Sequence, residues 1–456
     1  MGSLVRNRRR RLDTFWRRLR YDHKADINVR KRVSDVPSSS VNTISMIYPG
    51  LVVDMNSTGM KCLPQSKIPI AQGIVLHDWH AEILAIRSFN RFLLDECYSL
   101  ASAQRENSEY IRLRSPEERT EVYFQPYALK DGISLHMYCS EAPCRFFKIN
   151  LDLKIIFIDY LGGDASMELT MAAQDDSTPW DMPPSAAFSS SFSNNASANS
   201  HLDSNIVAFN SSSSVLDSQL LGRGYFSALG IVRRKPSRPD APPTVSKSCS
   251  DKIALKQCTS LLSSITSVLI SPSNAYLSSV ILPESQCSLE GCTRAFSASG
   301  RMAKLIRTDW QNGYSFKPFE IKTSSREFGF SRRQAVPTGD SLVPSNISAS
   351  WTCYQLETLI GGVLQGRKQG DIRGASRVCK SRMWRTALDI SALVDASQIE
   401  ECLKKFRYID VKRDSLLAER ESVKDDVRHG PLEGWIRNSG GEEFYLQSEV
   451  KDHRKT

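Results

Sequence analysis

The chain has 456 residues, 40% hydrophobic and 24% charged, enough for one large domain or two ordinary ones around a substantial core. No apolar run approaches the ~20 residues that a membrane-crossing helix needs, and the Arg-rich N-terminal stretch lacks the apolar segment of a secretory signal. Eleven irregularly spaced cysteines fit a reducing compartment, cytoplasm or nucleus, with thiols free for metal, rather than a disulfide framework. The net charge is +10, and residues 1–33 carry nearly all of it, with twelve Arg and Lys against three Asp. A basic arm of this kind binds RNA, directs nuclear import or only solvates the chain, and composition does not choose among these.

Along the chain, residues 1–45 read as a disordered basic arm, in which Phe15, Trp16, Leu19 and Tyr21 offer at most a short amphipathic turn. Residues 51–54 read as a strand, followed by a turn that Gly59 breaks and Pro64 stops. Residues 74–76 read as a second short strand. Residues 80–94 place Ile83, Leu84, Ile86, Phe89, Phe92 and Leu93 at helical spacing, with Asp78 positioned to cap the helix. Residues 133–140 read as a strand that Pro143 ends. Residues 183–220, rich in Ser, Asn and Ala, bury little and read as a disordered insertion. Residues 251–270 read as a long helix interrupted by Ser and Thr, and 275–282 as a strand. Ordered stretches follow at 351–364 and 375–388, then a helix at 416–427, a turn at 431–435 and a short tail from 446. There is no internal repeat.

His80-Ala81-Glu82 at a strand-to-helix junction, with Pro143-Cys144 downstream, has the H-x-E…P-C form of zinc nucleobase deaminases. Neutral imidazole and two thiolates hold Zn²⁺ and leave a fourth position for water, whose pKa the metal lowers toward neutrality. The glutamate is a proton shuttle, not a ligand. A lone helical His is more often structural, and the usual C-x-x-C second cysteine is absent, because Phe147 stands there. The third ligand must come from elsewhere. Cys97, Cys139 and Cys258 carry no motif and read as core thiols, while Cys287 and Cys292 form a C-x4-C pair without a companion.

The remaining cysteines lead to a resemblance. Ser248-Cys249-Ser250-Asp251-Lys252-Ile253 resembles the SCSDKI element of the adenosine-to-inosine RNA deaminases, a family of double-stranded-RNA editors and tRNA-specific adenosine deaminases. The other elements stand in family order: TGMKCLPQSK (58–67), VLHDWHAEILAIRSFNRFL (75–93), MYCSEAPC (137–144), GGDASMELTMAAQ (162–174), KSCSDKIALKQCTSLLSS (247–264), RGASRVCKSRMW (373–384) and PLEGW (431–435). The resemblance is strongest to the fungal tRNA-specific branch, which acts on alanine tRNA next to the anticodon. It implies a cytidine-deaminase-like α/β fold over residues 46–445, a mixed sheet flanked by helices with a C-terminal editase extension, and no separate double-stranded-RNA-binding domain. It also implies Zn²⁺ on His80, Cys144 and Cys249, with Glu82 moving protons. Lys61 aligns with a position near the target nucleotide, or is a solvated loop lysine. The editors also bury inositol hexakisphosphate, and Arg87, Lys252, Lys380, Tyr408, Lys412 and Trp435 match its contacts. Ile86 and Lys256 depart from that pattern, and the alternative is a set of ordinary surface cations. The local cluster Arg233, Arg234, Lys235 and Arg238 offers phosphate contacts that position tRNA without reading sequence.

Two stretches depart from the family. The eighteen residues 145–162 separate Cys144 from Gly163-Asp164, where the family has none. They alternate apolar and polar residues like an amphipathic strand. Their Phe, Ile, Lys, Asn and Tyr have A/T-rich codons, as a translated retained intron would; a transcript that normally keeps these codons contradicts this. Residues 1–50 show no ordered leading strand of the family kind. Two other readings follow from the residues: an RNA-binding relative whose zinc site the insertion has broken, and a deaminase of free nucleosides.

Overall fold

The computed structural model describes residues 41–48, 51–143, 232, 234–235, 242–328, 346–394 and 396–446. Cys144, Arg233, Arg238, residues 1–40 of the expected arm and both expected insertions lie outside them. The first two strands, β1 (Val41–Tyr48) and β2 (Leu51–Thr58), pair antiparallel from Val41↔Thr58 to Tyr48↔Leu51. Asn42, Ile44 and Met46 are buried, while Thr43 and Ser45 face the other way, half-buried, as a period of two requires. The β1 strand corrects the expectation that nothing ordered precedes residue 51. Its pattern VNTISMIY mixes polar and apolar residues on both faces, which hid it in sequence.

Four more strands follow: β3 (Ile111–Leu113), β4 (Tyr127–Leu129), β5 (Ser134–Cys139) and β6 (Leu277–Pro283). The last four are β7 (Glu320–Ser324), β8 (Ile347–Trp351), β9 (Leu356–Ile360) and β10 (Val363–Leu364). All but β3 and β4, which pair separately, form one sheet in the order β10-β9-β8-β2-β1-β5-β6-β7. The β5, β6 and β7 strands run parallel; the rest pair antiparallel. Parallel neighbours need a crossover, and ligands gather at the carboxyl ends of such strands. Here β5 leads at that end into Ser140–Pro143 and the expected ligand Cys144.

Helix α1 (Ala81–Ala101) lies across β1, β2 and β8 and buries Leu84, Ala85, Phe89, Phe92 and Leu93. The crossover carries α2 (Cys249–Thr259) and α3 (Thr266–Leu269), where one helix was expected. Ser260 breaks it with φ 58°, a backbone region that non-glycine residues rarely enter. Asn90 of α1 seals the break, donating to Leu261 O (2.9 Å) and accepting from Ser263 N (2.6 Å). Then come α4 (Leu289–Phe296), α5 (Lys380–Ser391), α6 (Ser397–Leu403), α7 (Tyr408–Lys412) and α8 (Ala418–His429). The α5 helix packs on α1 and α8 on α2. Trp384 of α5 meets Tyr408 and Phe444 edge-on, and those two rings stack at 4.9 Å. The result is the expected α/β class, a mixed sheet flanked by helices. Residues 74–76 are a buried turn, not a strand: Ile74 N and Val75 N both bond to Ala71 O. A three-residue apolar run cannot tell the two apart.

Candidate active site

The first wall of the site is a strand-like pairing of residues 59–63 with 77–81. Leu63 N donates to His77 O (2.9 Å), Trp79 N to Lys61 O (3.1 Å) and Ala81 N to Gly59 O (3.0 Å). Gly59 permits this approach; a Cβ there would lie 1.8 Å from Trp79 O. Cys62 Sγ consequently sits 3.4 Å from His80 Nδ1. Asp78 does not cap α1 as expected, because the N-cap is His80 itself. Its Oδ1 instead accepts from His80 N (3.0 Å) and lies 2.8 Å from His80 Nδ1, which fixes the imidazole. Glu82 is buried in the first turn of α1. Asn42 of β1, in the amide orientation that satisfies both ends, accepts from Glu82 N and donates to Tyr138 O, both at 3.2 Å. It ties the start of α1 to the end of β5.

Cys249, the first residue of α2, forms the second wall. Ser248 caps this helix, its Oγ accepting from Asp251 N (3.1 Å), and Arg301 pairs with Asp251 at 2.7 Å. The helix start favours a thiolate. Lys235, expected to face RNA, is 4% exposed and points inward. Its Nζ donates to Cys249 Sγ (2.8 Å) and lies 3.5 Å from Asp78 Oδ2. That same Oδ2 accepts from Ser246 Oγ (2.6 Å) and from Lys252. One buried carboxylate therefore joins His80, Lys235, Lys252 and, through Lys235, Cys249. Burial pushes the Asp78 carboxyl up, but Lys235, Lys252 and His80 outweigh it and hold the group well below its usual range. Burial and Lys235 press the His80 imidazole down, yet Cys62 and Asp78 hold it up to about 10. A metal entering here must displace that proton.

Ligand atoms of Cys62, Asp78 and His80 lie within 4.8 Å of one another. Imidazole, thiolate and carboxylate are all donors that Zn²⁺ accepts, and the expected ligand Cys249 is not one of this group. Sequence reasoning quoted Cys62 within its turn without weighing it, and it read Lys235 and Asp78 for other roles. The signal it lacked was the antiparallel pairing of the two segments. Cys97, Cys139 and Cys258 are buried with thiols pushed up by desolvation, as core thiols are. Lys61 is half-buried, and Arg234 forms an isolated bridge with Lys247.

Beneath this site lies a cavity of about 230 Å³ whose lining includes Arg87, Lys252, Lys256, Lys380, Tyr408 and Trp435. Lys252 thus reaches from the cavity to Asp78. Lys412, just beyond the lining, pairs with Glu442 at 2.7 Å, and Lys380 stands 3.8 Å from the same carboxylate. Burial lowers Lys380 to about 8 against the pull of Glu442, and Lys412 and Arg87 add to the lowering. Burial with Arg420 lowers Lys424 to about 7, and burial with Arg420, Lys424 and Arg87 takes Lys256 well below its usual value. Among the described residues, the buried Arg87 Nε has no hydrogen-bond partner. This is an excess of buried cation, with Glu442 and Glu421 as the facing acids.

Residues 56–439 match the adenosine-deaminase (editase) domain. The tRNA-specific adenosine deaminase 1 of Schizosaccharomyces pombe is 30% identical over 394 residues, 85% of this chain and 82% of that protein. Its Mus musculus namesake is 26% identical over 89% of both chains. The mouse double-stranded RNA-specific editase B2 is 33% identical over 102 residues, 22% of this chain and 12% of that one.

Proposed function

Because the chain belongs to the adenosine-deaminase (editase) domain family, we propose that it converts adenosine to inosine in tRNA, next to the anticodon of alanine tRNA. The names of the two full-length relatives support the tRNA substrate. The observation that carries the chemistry is the convergence of two helix starts, with His80 and Glu82 on α1 and Cys249 on α2, joined through Asp78 and Lys235. His80, Cys144 and Cys249 would hold zinc, which when bound supplies an acidified water. Asp78 orients His80, and Lys235 stabilises the Cys249 thiolate. Glu82 carries the first proton of the attacking water to adenine N1, and then the proton of the new C6 hydroxyl to the departing amine. Water adds at C6 and ammonia leaves, giving inosine. An anticodon loop presents an already unpaired base at low unstacking cost. Lys61, Arg233, Arg234 and Arg238 would meet tRNA phosphates.

The cavity suits a polyanion. Its cations repel one another and have lost hydration, so a highly phosphorylated ligand would compensate both. Inositol hexakisphosphate is the ligand we assign, held by Arg87, Lys252, Lys380, Tyr408, Lys412 and Trp435, with Lys256 added to that set.

Purified chain should form inosine in an alanine tRNA transcript, read as an A-to-G change in reverse transcription, and excess free adenosine should not compete. Inhibition by free adenosine at concentrations that saturate nucleoside deaminases would replace the tRNA reading with a nucleoside one. Binding of tRNA without inosine or zinc would mark an inactive relative.

A further inference from the structure

We infer that the loop 365–371 is a phosphate-binding site for tRNA, with Arg367 and Lys368 as its contacts. The inference rests on the reading of tRNA as substrate and names a place where its backbone docks. The loop follows β10 and consists of two successive tight turns. Arg367 N donates to Leu364 O at 3.1 Å, and Asp371 N to Lys368 O at 3.2 Å. Each turn has glycine at its third position, Gly366 with φ 81° and Gly370 with φ 91°, the backbone sign that a type II turn requires there. Arg367 closes the first turn and Lys368 opens the second, so the two cations are neighbours at the junction. The loop is tied down from three directions. Gln365 N donates to Thr358 O of β9 (2.9 Å) and Gln369 Nε2 to Gly361 O (2.7 Å). Gly374 packs on the Arg367 stem, where an added Cβ would lie 3.0 Å from Arg367 Cβ.

Both side chains are exposed, and neither belongs to an ion pair among the described residues. The acid nearest in sequence, Asp371, is engaged by Arg373: its Oδ1 accepts from Arg373 N (2.9 Å) and its Oδ2 lies 3.2 Å from Arg373 Nη2. By contrast, Lys404 pairs with Glu400 at 2.6 Å and Lys405 with Asp414 at 2.5 Å. A Cβ on Gly366 or Gly370 would meet nothing within 4 Å, so the outer side of both turns is open to a large partner. The base of the loop sits on the active-site wall. Gly362, between β9 and β10, accepts from Leu76 N (2.9 Å), and a Cβ there would come within 3.0 Å of the Trp79 ring. Trp79 belongs to the pairing that brings Cys62 beside His80. The loop is therefore fixed relative to the site and can register a bound strand against it. Nearly all of the net charge lies in residues 1–33, so the folded body must hold phosphates with local groups. A backbone ordered beforehand loses little freedom on binding, and phosphate contacts of this kind fix register without reading sequence.

The test measures binding of an alanine tRNA transcript to the full zinc-loaded chain across a salt series. Arg367→Ala with Lys368→Ala should weaken binding about tenfold and lower the slope of log affinity against log salt by about 1 to 2. Arg367→Glu with Lys368→Glu should weaken it further. Exchanging the residue types, Arg367→Lys with Lys368→Arg, should keep binding within about threefold, because charge rather than geometry holds these phosphates. The loss should fall on KM for tRNA rather than on kcat. Lys404→Ala with Lys405→Ala removes the same net charge from paired cations and should change binding less than about twofold. Affinity and slope unchanged by the alanine and glutamate loop pairs, or a loss matched by Lys404→Ala with Lys405→Ala, would overturn the proposal. If the unmodified chain neither binds the transcript nor forms inosine in it, the tRNA reading itself fails. If the unmodified chain binds and deaminates it, and the loop variants do so equally well, only the loop's role falls.

Discussion

At the scale of single residues, Asp78 and Glu442 do comparable work in two adjoining sites. Asp78 is buried and Glu442 half-buried; each carboxylate is shared among cations and keeps them from facing one another unopposed. Removing one partner from such an arrangement strands the others in a poor solvent for charge. Glu442 carries a pH signature. Burial raises its carboxyl, but Lys380 and Lys412 bring it down to about 2, against 4.5 ordinarily. A depressed acid stabilises the fold fully above its unfolded pKa and loses that contribution as pH falls toward its folded value. The difference in unfolding free energy between the unmodified chain and Glu442→Gln should therefore be constant near neutrality. It should shrink by about 3 kcal/mol between pH 5 and pH 2, measured by urea titration at each pH. Glu82 makes a different prediction. Glu82→Gln keeps the shape of the site and removes the proposed proton carrier, so kcat should drop by about 10²–10⁴ with zinc content unchanged.

Among the elements, the pairing of residues 59–63 with 77–81 is the device that builds the site. Gly59→Ala should push the Cys62 turn off α1, because a Cβ would overlap Trp79 O. The expected cost is several kcal/mol, in the range of strained or overpacked core substitutions, seen as a lower melting temperature together with weaker zinc retention. Helix α1 and strand β5 were legible in sequence because their apolar spacing is regular, while α4, α6 and α7 were not read as helices. Ile83 through Leu93 announce α1, which runs past the expected end at 94 to Ala101. The β1 strand was not legible, since Asn42 is buried for its hydrogen bonds rather than its hydrophobicity. The Ser and Thr interruption of residues 251–270 was visible, but a full break at Ser260 was not, because it is held from outside by Asn90. His80, Glu82 and Cys249 could be named from motif and resemblance. Lys235 was misread as surface charge, because a lysine's burial depends on partners far away in sequence, here Asp78 and Cys249.

For the molecule as a whole, the cation-rich cavity lies among α1, α2, α5, α7 and Trp435, and Lys252 connects it with Asp78. A polyanion there would bind the folded chain and not the unfolded one, so it would stabilise by mass action. Adding inositol hexakisphosphate at 100 times its Kd should raise unfolding free energy by about 2.7 kcal/mol, and Lys380→Ala should weaken that gain. Chain purified free of the ligand should melt at a lower temperature. An unchanged melting curve would leave the cavity lysines as a structural cluster only. The central claim, that the joined helix starts deaminate adenosine in tRNA, is tested most directly by inosine formation. Full chain, zinc and an alanine tRNA transcript are incubated, and inosine beside the anticodon is read by sequencing. The account predicts inosine there with the unmodified chain and a loss of about 10²–10⁴ in rate with Glu82→Gln. Equal inosine from both, or none from a zinc-loaded unmodified chain that binds the transcript, would contradict it.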